Sequence, residues 1–98
     1  MNNSQEFAFA DNTTMRFSQE TMRRFGHPLS VDIKYDNGKI YIAPGNGQAL
    51  CTRKAASFSS ICIRKLRRRV DIPYGRMPAT VENGNIIVSI DNQPIEKI

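Results

Sequence analysis

The chain has 98 residues, with 14 Lys or Arg against nine Asp or Glu, a net charge of +5 and two cysteines. A chain of this length forms one domain, residues 1–98, that buries roughly two-thirds of its surface on folding. No apolar run approaches the roughly 20 residues of a membrane helix, and MNNSQEF lacks the basic start and apolar centre of a secretory leader, so a cytoplasmic protein with reduced thiols is expected.

The charge is uneven. Residues 1–48 hold five basic and five acidic side chains, whereas residues 49–98 hold nine basic and four acidic ones. Seven Lys or Arg and no acid fall in residues 53–69. Such asymmetry favours an anionic partner and is silent about fold.

In chain order, Phe7-Ala8-Phe9-Ala10 alternates and reads as an edge strand or a loosely held arm. Met15-Arg16-Phe17 reads as a short strand. Ser18 then caps a helix from 19 to 25: its hydroxyl can accept from an open N–H of the first turn, and Glu20 suits the positive end of the dipole. Met22 and Phe25 share a face, and Gly26 with Pro28 ends the helix. Residues 30–35 alternate, with Val31, Ile33 and Tyr35 on one face. Asn37-Gly38 tolerates the positive φ angles of a tight hairpin turn, and the chain returns through Ile40 and Ile42. Gly45-Asn46-Gly47 reads as a linker. Residues 49–53 form a candidate strand, while 54–60 carry no clear pattern.

A second copy of the pattern is expected over residues 61–90. At 100° per residue, Ile63, Leu66 and Val70 form the buried stripe of a helix. Arg64, Lys65, Arg68 and Arg69 lie opposite, with Arg67 at the stripe's edge. Pro73 and Gly75 end this helix. Residues 76–81 and 85–90 form a second hairpin about Asn83-Gly84. Pro78 implies that its strand is at an edge, or that its nitrogen faces away from a neighbour. An exposed edge there would permit homodimers or higher homo-oligomers. The two Asn-Gly turns are 46 residues apart, and the same offset aligns Val31, Ile33, Ile40 and Ile42 with Met77, Ala79, Ile86 and Val88. This favours duplication, with repeats at 13–44 and 49–90.

Those residues carry a family resemblance. A short strand, a two-turn helix bearing Arg-Arg and a tight hairpin resemble the AbrB/SpoVT swapped-hairpin unit. Thr21-Met22-Arg23-Arg24-Phe25-Gly26 and Lys65-Leu66-Arg67-Arg68-Arg69-Val70 are similar to that family's leucine-arginine-arginine-x-leucine-glycine helix. Two units in one chain are similar to MraZ-type proteins, and the resemblance covers residues 13–90. It implies an α+β, mainly β fold, a small swapped-hairpin-type barrel, with no cofactor and often transcriptional regulation through DNA binding. Its Arg-Arg positions fall on Arg23 and Arg24, and on Arg67 and Arg68. The Gly-Arg pair usual before the first strand is missing from both copies, and Ser18 and Ile63 stand where the family has Pro.

The remaining signals are bland. His27 follows a helix-ending glycine and reads as a turn residue, with no second His to share a metal. Cys51 and Cys62 read as buried small apolar residues. No phosphate-cradling or dinucleotide fingerprint is present, and the scattered acids form no obvious pair for acid–base work. No enzyme, metal, cofactor or small-molecule substrate is therefore expected. The function expected is that of a small regulator binding duplex DNA through Arg64, Lys65, Arg67, Arg68 and Arg69, helped by Arg53, Lys54, Arg23 and Arg24. The alternative is a non-catalytic protein-interaction module, of phage or mobile-element type or antitoxin-like, whose basic face docks an acidic protein.

Overall fold

A computed structural model describes residues 6–53 and 58–90. In chain order it contains β1 (Phe7–Ala10), β2 (Thr14–Phe17), α1 (Gln19–Phe25), β3 (Ser30–Asp36), β4 (Lys39–Pro44), β5 (Gln48–Ala49), β6 (Cys51–Arg53), β7 (Phe58–Cys62), α2 (Arg64–Arg67), β8 (Gly75–Glu82) and β9 (Asn85–Ser89). The fold is mainly β. Nine strands form one sheet in the order β5-β3-β4-β9-β8-β1-β2-β7-β6, with every pairing antiparallel. The two edge strands, β5 and β6, are consecutive in the chain and separated only by Leu50. The sheet therefore curls until its edges nearly meet, giving a barrel-like closure that leaves little open edge.

The two Asn-Gly turns form as their chemistry requires. Asn37 and Asn83 have φ of 53° and 54°, and Gly38 and Gly84 have 82° and 79°. Register is identical in the two hairpins at the offset of 46. Asp36 faces Lys39 and Glu82 faces Asn85, while Ile33 faces Ile42 and Ala79 faces Val88. Between the halves, Met15 faces Ile61 and Tyr41 faces Ile87, so each meets the residue 46 positions later.

The halves interleave. β4 pairs with β9, β1 runs between β2 and β8, and the segment 48–53 pairs with β3 through β5 and with β7 through β6. Strand β1 is thus interior, neither an edge strand nor an arm. Ala8 and Ala10 point inward and are fully buried. Their small size leaves room for Phe17, Met15 and Met77, two of which, Phe17 and Met77, stand directly across from Ala8. Strand β8 is interior as well, which removes the expected edge at 76–81 as a route to homodimers. Pro78 is tolerated because it faces β1 at the end of that pairing, and pairing to β9 begins only at Ala79.

The core joins both halves through Phe17, Met22, Val31, Ile40, Ile42, Ile61, Ile63, Met77, Ile86 and Val88. Helix α1 lies against β7, β8 and β9, burying Met22 and Phe25. Gly26, at φ 95°, ends it and donates its N–H to the Met22 carbonyl at 2.8 Å. At the other end, the Ser18 hydroxyl accepts from the N–H of Thr21 and of Phe7, both at 3.3 Å, and lies 2.8 Å from the Thr21 hydroxyl. One oxygen thus caps the helix and ties it to β1.

Two sequence expectations fail locally. The second helix has four residues and does not include Ile63 or Val70 of the expected stripe. Ile61 is drawn into β7 opposite Met15, and Ile63 at the N-cap supplies no side-chain acceptor. The like-charged pairs Arg64/Arg68 and Lys65/Arg69, four apart, oppose a longer helix. Cys51 and Cys62 are exposed, because the inward positions of β7 go to Ser59 and Ile61. Gly45-Asn46-Gly47, the expected linker, forms a turn between β4 and β5 pinned to β3, with the Gly47 N–H donating to the Asp32 carboxylate at 2.8 Å.

The β1–β2 turn is built on Asp11. Its Oδ1 accepts from the N–H of Thr13 at 3.0 Å and of Thr14 at 2.9 Å, and its carboxylate accepts from the Thr14 hydroxyl. The N–H of Thr14 and then that of Thr13 lower the Asp11 pKa below the ordinary aspartate value, with Arg16 adding to the shift. A carboxylate with a depressed folded pKa stabilises at pH above its unfolded pKa of about 3.9, and that contribution fades as pH falls through the folded value. Asp11→Asn should therefore lower stability in urea melts by a constant amount at pH 5–7, and its gap to the unsubstituted protein should narrow below about pH 4. Ser18→Ala should cost about 1–2 kcal/mol in the same melts, since both the cap and the tie to β1 are lost.

Candidate nucleic-acid interface

The expected cations do not form one equivalent set. In α1, the Arg23 Nη1 donates to Glu20 at 3.0 Å, and Arg24 pairs with Glu6. The Glu6 hydrogen bond raises the pKa of Arg24 further. Glu20 takes the arginine three residues on in its own helix, and Glu6, which immediately precedes β1, takes the second. The two arginines remain largely exposed, but each has a carboxylate at its tip, and exposed pairs of this type contribute little to stability.

Arg67 differs from its basic neighbours in having backbone partners. Its Nε and Nη2 donate to the carbonyl of Asp11 at 3.2 and 2.8 Å, and Nη1 donates to the carbonyl of Ile72. Its guanidinium also lies 4.2 Å from the Tyr74 ring centroid. The planar fork, which reads phosphate when free, here ties the β1–β2 turn to the segment after α2. Two more bonds grip the same turn: the Ile63 N–H donates to the Thr13 carbonyl at 2.8 Å, and the Tyr74 hydroxyl to Asn12 Oδ1 at 3.0 Å.

Arg64, Lys65, Arg68 and Arg69 are exposed. Among the described residues none of the four makes an ion pair. The chain turns past them on bonds from Arg68 N–H to Lys65 carbonyl at 3.2 Å and from Val70 N–H to Leu66 carbonyl at 2.9 Å. Leu66 and Val70 pack on the core. Strand β3 lies alongside, where Ile33, Lys34 and Tyr35 with Leu66, Arg69 and Val70 line an open groove of about 370 Å³. Arg53 stands in β6; its side chain and Lys54 lie outside the described residues.

A second basic surface, not among the residues expected from sequence, lies on the sheet. On the outer face of β8, β1 and β2, Arg76 faces Phe9 and Phe9 faces Arg16. The Arg76 guanidinium lies 4.1 Å over the Phe7 ring and that of Arg16 lies 5.2 Å over Phe9. Arg16 also approaches Asp11 at 3.7 Å. The signal was the alternation of β1, which sends both phenylalanines outward when the alanines face the core. Among the described residues no group of three His, Cys, Asp or Glu could hold a metal ion, and no helix is long and apolar enough to cross a membrane.

Comparison with family models, curated proteins and solved structures finds no match for this chain.

The two classes of arginine separate by stability. Arg67→Ala strips donors from two backbone carbonyls and should lower stability by roughly 1–3 kcal/mol. Arg68→Ala and Arg69→Ala, at exposed positions, should stay within about 0.5 kcal/mol of the parent. Urea melts of the three single variants make the comparison; an Arg67→Ala protein as stable as Arg68→Ala would remove the tie from the account.

Proposed function

We propose that this chain is a small DNA-binding regulator that contacts duplex phosphates through the α2 surface. The observation that carries this reading is the set of four exposed cations, Arg64, Lys65, Arg68 and Arg69, that share one short segment without a carboxylate partner among the described residues. Cations in that state attract a polyanion and release its condensed counterions on contact. Arg23 and Arg24 are secondary, since Glu20 and Glu6 must be displaced first. Arg67 shapes the surface rather than joining it. We read the scaffold as a duplicated swapped-hairpin unit, AbrB-like in kind; the register shared at the offset of 46 and the exchange of strands between halves support this.

A second reading has its own observation. The groove between α2 and β3 has apolar walls, Ile33, Leu66 and Val70, and a basic rim, Lys34 and Arg69. That is a fit for an acidic protein segment with an apolar anchor.

Fluorescence anisotropy on a mixed-sequence duplex across a salt series tests the DNA reading. The affinity should fall steeply with salt, with a logarithmic slope of roughly 3–4 if four phosphates are neutralised. Arg68→Ala/Arg69→Ala should reduce that slope by about two while remaining folded. A folded parent protein that ignores duplex at roughly 50 mM salt, where phosphate contacts are strong, would sink the DNA reading and favour the acidic-protein one.

A further inference from the structure

We infer that Tyr74 is a stacking platform for an unpaired nucleobase, and that the preferred nucleic acid presents such a base beside the phosphates held by α2. This inference rests on the nucleic-acid reading above and specifies its ligand. Tyr74 is 66% exposed, yet it is held on three sides. The Arg67 guanidinium covers the ring at 4.2 Å. The hydroxyl donates to Asn12 at 3.0 Å. In the backbone, Pro73 fixes its own φ before the tyrosine, and Gly75 follows at φ 101°. Arg67 is itself anchored to the carbonyls of Asp11 and Ile72. The ring is thus ordered in advance while most of its surface still faces solvent. Ordering a mobile aromatic is a cost of stacking that this one avoids on binding.

The surroundings indicate the occupant. Arg68 and Arg69 follow Arg67 directly in the chain and are exposed, as are Arg64 and Lys65; the acids by sequence or contact are Asp71, exposed, and Asp11, whose carbonyl holds Arg67 and whose carboxylate is engaged by Thr13 and Thr14. A phosphodiester strand lying along these cations would carry its bases past the ring. Every base has a π face, so stacking adds affinity without reading sequence. In an intact duplex those faces are covered by neighbouring bases, and exposing one means unstacking it. A duplex with a single-stranded overhang supplies phosphates and an open base together.

The test uses the full chain and three labelled probes: a blunt duplex, the same duplex with a short thymidine overhang, and the same duplex with an abasic overhang of equal phosphate count. The thymidine overhang should bind about 5- to 150-fold more tightly than the abasic one. Tyr74→Ala should bring that ratio to about one, whereas Tyr74→Phe, which keeps the ring under Arg67, should retain most of it. Equal affinity of the parent protein for the two overhangs, or a ratio that survives Tyr74→Ala, overturns the platform. Blunt-duplex binding with no base effect overturns this inference alone; failure to bind any probe overturns the DNA reading with it.

Discussion

Neither half of this chain can complete its own sheet. Strand β1 needs β8 as its second neighbour, and the segment 48–53 needs β3. Hairpin β3–β4 continues only through β9. Helix α1 in turn covers strands of the second half. The apolar faces of the two hairpins, Ile40 and Ile42 on one and Ile86 and Val88 on the other, are buried in one core. A unit of about 30 residues alone would leave that surface in water, and so small a core would not offset the chain entropy. Folding is therefore obligately joint, and sequence-distant contacts such as Ala8 with Met77 must form for either half to be stable.

That constraint explains why one arginine is unlike its neighbours. The β1–β2 turn reaches across to the second half, and a turn carries backbone carbonyls that need donors. Arg67 provides three N–H donors to two carbonyls from one rigid plane. Lysine, with a point charge on a flexible stem, would not span Asp11 and Ile72 in the same way. A run of basic residues thus contains two kinds of side chain that sequence alone does not separate. One is consumed by backbone, and the others project to solvent because Leu66 and Val70 pull the opposite side of the segment onto the core.

Much of the β scaffold was legible. Asn-Gly fixes two turns through its tolerance of positive φ, and Ser18 with Gly26 bounds α1. The offset of 46 that aligns the two turns recurs in the register of both hairpins, whereas the cross-strand partners Met15–Ile61 and Tyr41–Ile87 carry no sequence signal of their own. What misled was local pattern overruled by pairing. Residues 61–70 have helical spacing, yet Ile61 gains a strand partner in Met15 and the helix shrinks to one turn. Cys51 and Cys62 suit a core, yet the strand phase set by Ile61 turns Cys62 outward. The partners of Arg24 and Arg67, namely Glu6 and Asp11, are distant in sequence. No i,i+4 rule reaches them, so which cations are left exposed became visible only with the fold.

The halves share strand register but not charge. In the first, α1 carries Arg23 and Arg24, each with a carboxylate, and the local field is nearly closed. In the second, the segment about α2 carries four exposed cations, with Asp71 following them in the chain. A scaffold with matching register would present two similar faces if its surfaces were alike. Here four exposed cations cluster about α2, and Arg76 with Arg16 marks a second basic surface on the outer face of β8, β1 and β2. Because register and core are set by inward-facing residues, the outward ones are free to differ without cost to the fold. The asymmetry therefore lies where function can be adjusted independently of stability, except at Arg67, where surface and scaffold meet in one side chain.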